Sequence, residues 1–141
     1  MVVWLKLKIR SKIKNNEVIV NGLVNSGYET ESPEILVDSK IAKELGYYPK
    51  FPKETSIETY TMAGSTEIKL IHIKNAVTVQ VLTEDRPSSE VSSDLVISEK
   101  ESDVLISDKL ASKLSIVLLD IGGGIWCFKD EIGKKARKSA T

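Results

Sequence analysis

The chain has one cysteine, Cys127, and one histidine, His72, among its 141 residues. A single cysteine excludes an intramolecular disulfide and suits a reducing interior, so the expected location is cytoplasmic. One cysteine and one histidine also argue against a structural zinc site within a single chain, and no metal ligands are expected. Long apolar runs are missing too. The longest are strand-length stretches such as residues 116–119, far below the ~20 residues of a membrane span, so no membrane partner is expected. Residues 1–6 lack the apolar core and cleavage site of a secretory signal, and none is expected. Nor is there an excess of one charge. Twenty Lys plus Arg balance twenty Asp plus Glu, leaving no global field to attract nucleic acid. Glutamine occurs once amid much Ile, Lys and Glu, a balance that leans towards a thermophilic source.

What is present reads mainly as short strands. Residues 3–13 alternate Leu5, Leu7 and Ile9 against Lys6, Lys8 and Arg10, the period-two pattern of a half-buried strand. Asn15 and Asn16 tolerate a tight turn, and Val18-Ile19-Val20 resumes an extended run, so a hairpin is expected. Asp38 and Ser39 can cap a short helix with Ile41, Ala42 and Leu45 on one face and Gly46 closing it. A second hairpin is expected from residues 55–61, a turn at residues 62–65, and residues 66–73. Residues 77–82 read as a separate strand, and residues 84–93 as a polar loop. Leu95-Val96-Ile97 and Val104-Leu105-Ile106 are buried-strand candidates. Ser107 and Asp108 can cap a second short helix with Leu110, Ala111 and Leu114 inward. Two last strands flank Gly122-Gly123-Gly124. The reading is one mainly β domain over residues 1–131, followed by a basic, disordered tail over residues 132–141.

Three blocks in order resemble the retropepsin-like aspartic peptidases, specifically their small, single-lobed archaeal relatives. The first is Gly22-Leu23-Val24-Asn25-Ser26-Gly27, an apolar strand entering an Asx-Ser-Gly loop. The second starts at Ile35-Leu36-Val37-Asp38-Ser39 and ends in Leu45-Gly46. The third runs from Val104-Leu105-Ile106-Ser107-Asp108 to Leu114, and Gly124-Ile125-Trp126-Cys127-Phe128 closes the match. Ser107 and Ser115 depart from the family, standing where many relatives have Gly. The resemblance implies a closed β-barrel with two short helices, assembled as a symmetric homodimer because one lobe supplies only one catalytic loop. It also implies a peptide or unfolded-protein substrate, attacking water and no cofactor.

The chemistry of that family needs two carboxylates sharing one proton, one serving as base and the other as acid. Here Asn25 occupies the place of the Asp, with Ser26 and Gly27 fitting the bracing hydroxyl and the close-approach glycine. An amide cannot ionise, so it supplies neither function, and little or no peptidase activity is expected. The alternative is a non-catalytic peptide-binding or scaffold protein of the same fold. Residues 62–65 fall where the family has a mobile flap, which makes Tyr60, Met62, Ala63 and Gly64 the candidate substrate contacts.

Other motifs favour plainer readings. Asp38 is better explained by helix capping, and Asp120-Ile121-Gly122 by a glycine-rich turn, than by a second catalytic loop. Glu29, Glu31 and Glu34 read as a solvated loop, and His72 as structural or exposed. Cys127, between Trp126 and Phe128, reads as packed rather than reactive.

Overall fold

A computed structural model describes residues 2–24, 27–61, 66–100 and 102–141. Strand β1 (Trp4–Ser11) buries Leu5, Leu7, Ile9 and Ser11 on one face and pairs antiparallel with β2 (Glu17–Val24). Asn15, with φ +55°, makes the turn between them, as its tolerance of left-handed backbone predicts. Gly22 sits where a Cβ would meet Leu7 Cδ1 at 2.5 Å, so any larger residue there would displace the Leu7 side chain.

Strand β3 (Glu34–Asp38) leads into helix α1 (Ser39–Glu44), whose first turn is capped by Asp38 accepting from Ile41 N at 2.9 Å. Strand β4 (Ser56–Thr61) pairs with β5 (Glu67–Val81), which then pairs with β6 (Val91–Ser98). Strand β7 (Val104–Ile106) precedes helix α2 (Asp108–Lys113). Ser107 Oγ accepts from both Leu110 N and Glu34 N, so it caps α2 and fixes the start of β3 at once. Ser115, just beyond α2, holds φ +63°, a left-handed conformation that accounts for the glycine preference at such helix ends.

Six strands close into a barrel in the order β1-β2-β7-β3-β6-β5, sealed by the β1–β5 pairing. Among the described residues, strand β4 lies outside the closure and pairs with β5 alone. A separate three-stranded sheet contains β8 (Ile116–Asp120), β9 (Ile125–Phe128) and β10 (Arg137–Lys138). The aliphatic interior includes Leu5, Leu7, Ile9, Ile35, Val37, Leu95, Ile97 and Ile106. The mainly β architecture, the closed barrel and the two short helices therefore agree with expectation. No helix among the described residues is long and apolar enough to cross a membrane.

Two expectations need correction. Residues 67–81 form one strand rather than two, interrupted by a bulge between Ile73 and Val77 in which Asn75 has φ +51°. The basic end is no disordered tail. Arg137 donates to Asp85 and Glu131, and its guanidinium lies 5.1 Å from the Phe128 ring centre and 5.8 Å from that of Trp126. Trp4 N donates to Ser139 Oγ and Ala140 N to Trp4 O, tying this segment to β1. Counting its positive charges missed this because the anionic partner Asp85 lies 52 residues earlier.

Candidate functional site

Side chains alternate across a strand, so the strands that line the barrel with odd-numbered residues turn their even-numbered ones outward. On β3, β5 and β6 those outward residues are Glu34 and Leu36, Leu70 and His72, and Asp94 and Val96; β7 has the opposite parity, with Val104 and Ile106 inward and Leu105 outward. They are not solvated. Leu36, Leu70 and Val96 form a second, smaller apolar cluster outside the barrel, flanked by Tyr28, Tyr60, Ile68 and Leu105. Register brings the polar members together: Glu34 lies opposite Asp94, and His72 opposite Val96.

The polar group is tightly bonded. His72 Nδ1 lies 2.6 Å from Glu58 Oε2, and Nε2 lies 2.8 Å from Asp94 Oδ2. Glu34 Oε2 is 3.8 Å from the same Nε2, while Glu34 Oε1 accepts from the hydroxyls of Tyr28 and Tyr60, each at 3.0 Å. Asp94 Oδ1 accepts from Asn75 N in the β5 bulge, and Oδ2 accepts from Ser32 Oγ. The bulge therefore has a local purpose: it turns a backbone donor towards the one carboxylate placed across from it.

Burial pushes the Glu34 carboxyl above its ordinary range, against the opposing pull of the two tyrosine hydroxyls and His72. Burial alone would push His72 down, but hydrogen bonds to Asp94 and Glu58 and the charge of Glu34 leave it raised. Burial and the neighbouring Glu34 charge push the Tyr28 and Tyr60 hydroxyls far up, which keeps both as proton donors. Each ring nitrogen of His72 therefore faces a carboxylate oxygen.

These groups line part of a cavity of about 1100 Å³ whose walls run from Gly27 along β4 to Thr61. Its apolar floor is Leu36, Leu70 and Leu105, and Tyr28 and Tyr60 meet edge to face across it with ring centres 6.5 Å apart. Of the residues singled out from sequence, Gly27 and Tyr60 both line this cavity. Asn25, Ser26, Met62, Ala63 and Gly64 lie outside the described residues. Asp38 caps α1, and Asp120 Oδ1 accepts from Gly123 N in a turn, so the plainer reading of each holds. Cys127 is fully buried and its thiol is raised by that burial, in keeping with a packed role.

Glu34 is corrected, since it is buried in the network rather than solvated, and His72 is buried rather than exposed, which leaves its structural reading in place. Glu58 and Asp94 were missed. Strand parity places Glu34, His72 and Asp94 on the outward face but does not separate them from solvated charges, since Leu36, Leu70 and Val96 share that face. Neither a known protein family nor a curated protein matches this chain.

Proposed function

We propose that this chain is a single-lobed, retropepsin-like protein that pairs as a symmetric homodimer and holds an extended peptide between its subunits. The parent reaction is endopeptidase cleavage by water, activated between two Asp carboxylates contributed by the two subunits. With Asn25 at that position the chain binds but does not cut. One observation carries the reading: Gly27, the last residue of the Asx-Ser-Gly motif, and Tyr60 border the same large, part-apolar cavity. Support also comes from the parallel pairing of Val24 in β2 with Ile106 in β7, which sets the first and third resembling blocks side by side. A cleft with an apolar floor and a few convergent polar groups suits a peptide ligand.

The second reading is a binding or scaffold protein that uses the same cleft with no ancestral demand for catalysis, and Asn25 itself favours it. Asn25→Asp separates the two. Incubated with an unfolded protein from acid to neutral pH, the variant is expected to cleave at least ~10³-fold faster than the parent. A transition-state-mimicking inhibitor should block that cleavage, and sedimentation should report a dimer. A folded Asn25→Asp dimer that cuts nothing removes the peptidase reading, and a monomer at working concentration removes the two-fold site.

A further inference from the structure

From the outward cluster we infer a divalent metal site, with Zn²⁺ as its fitting occupant, formed by Glu34 Oε2, His72 Nε2 and Asp94 Oδ2. The three donor atoms lie within 4.8 Å of one another and all three residues are buried. Nitrogen from one imidazole and oxygen from two carboxylates is a donor set that Zn²⁺ accepts. Tetrahedral coordination at about 2.0–2.1 Å places donor atoms about 3.3 Å apart. The observed separations from Nε2, 2.8 Å to Asp94 and 3.8 Å to Glu34, bracket that value, and the two carboxylate oxygens lie within 4.8 Å of each other, so small side-chain rotations close the three around an ion.

The second observation is independent of the donors themselves. In each of the three residues another polar atom is already held by a separate partner. Glu58 takes Nδ1 of His72, the Tyr28 and Tyr60 hydroxyls take Oε1 of Glu34, and the backbone N–H of Asn75 takes Oδ1 of Asp94. This is how metal-binding imidazoles and carboxylates are oriented, by outer partners that fix the tautomer and aim the remaining atom. Glu58 on Nδ1 leaves Nε2 as the coordinating nitrogen, and Zn²⁺ takes the place of its proton.

Charge points the same way. Three carboxylates surround one imidazole, and among the described residues the ion pairs of Glu34, Glu58 and Asp94 run only to His72. A dication offsets that excess. The cavity beside the cluster supplies an entry path and room for water or a ligand group at the fourth position. The cysteine and histidine count argued against a metal because it left carboxylate donors out.

The test uses the fact that the chain has a single histidine. With ¹⁵N-histidine label, the metal-stripped protein gives one pair of ring-nitrogen resonances. One equivalent of Zn²⁺ is expected to move Nε2 to a metal-bound shift and leave Nδ1 protonated. Competition with a chromogenic chelator should give one site per chain, weakened at least 100-fold by Asp94→Asn. Glu58→Gln keeps all three donors and should weaken binding by about 10–100-fold. Circular dichroism in chelator checks that both variants are folded. Ring resonances unmoved by saturating Zn²⁺, or uptake indifferent to both substitutions, overturn the site. The readout is binding alone, so failure of Asn25→Asp to cleave peptide leaves it untouched.

Discussion

The two faces of β3, β5 and β6 share a backbone but differ in what they tolerate. Facing into the barrel are Ile35, Val37, Ile71, Ile73, Leu95 and Ile97, all aliphatic and packed against one another. Facing out are Glu34, Leu36, Leu70, His72, Asp94 and Val96, in which polar groups form a layer beside a small apolar patch. The inner face gains by excluding water from hydrocarbon, a non-directional effect that many side chains can supply. The outer face depends on directional bonds, where loss of one partner strands a buried polar group. Stability and chemistry are thus separated by one residue of register.

The largest break in that comparison should come from the inner face. Leu95→Ala, at a fully buried site, is expected to cost about 2–5 kcal/mol in denaturant unfolding. Leu36→Ala, in the three-residue outer cluster, should fall at or below the low end of that range. Equal losses would mean that the outer patch is as much a core as the barrel.

A smaller effect sharpens the polar side. Tyr60→Phe removes one of the two hydroxyls on Glu34 Oε1 and should cost about 1 kcal/mol, with Tyr28→Phe similar. Because the two share one acceptor, the double variant should depart from additivity by at least ~0.5 kcal/mol. Strict additivity would show that the hydroxyls act independently.

The smallest signal is a slope. The raised Glu34 and His72 bind protons more readily folded than unfolded, so the stability they add is lost as pH rises. For His72 it is complete below the ordinary value of 6.5 and fades as pH passes the higher folded value. Glu131 behaves oppositely. Its hydrogen bond with Arg137 holds it at about 2, so its contribution is present above 4.5 and lost as pH falls towards 2. Urea midpoints measured across pH in chelator should decline at both ends. His72→Gln should flatten the alkaline decline and Glu131→Gln the acid one; a decline that survives its substitution assigns it elsewhere.

Much of the fold could be read from local pattern. The alternation of β1, the turn at Asn15, and the caps Asp38 and Ser107 are decided by neighbours in sequence, and the structure has each in place. The site was harder. Glu34, Glu58, His72 and Asp94 come from four strands, and nothing local distinguishes them from solvated charges. Their meeting depends on the parallel β3–β6 register and on β4 docking outside the barrel. Strand β3 hides its alternation because both of its faces are covered, so Glu34 reads as the end of a polar loop. The segment at 132–141 was misread because two of its anchors, Asp85 and Trp4, are distant in sequence.

The β5 bulge has a consequence for how this chain can change in length. Between the pairs Ile73–Leu95 and Val77–Ser93, strand β5 carries three residues where β6 carries only Asp94. The surplus is two, an even number, so Ile71 and Ile73 before the bulge and Val77 and Val79 after it point the same way. A single-residue insertion or deletion at 74–76 would put the two halves of β5 out of phase. With residues 77–81 held in the seam to β1, His72 would swing into the aliphatic interior and Ile73 out to the cavity. Insertions or deletions at this point keep both faces only in steps of two, so genuine relatives of the chain should differ here by even counts.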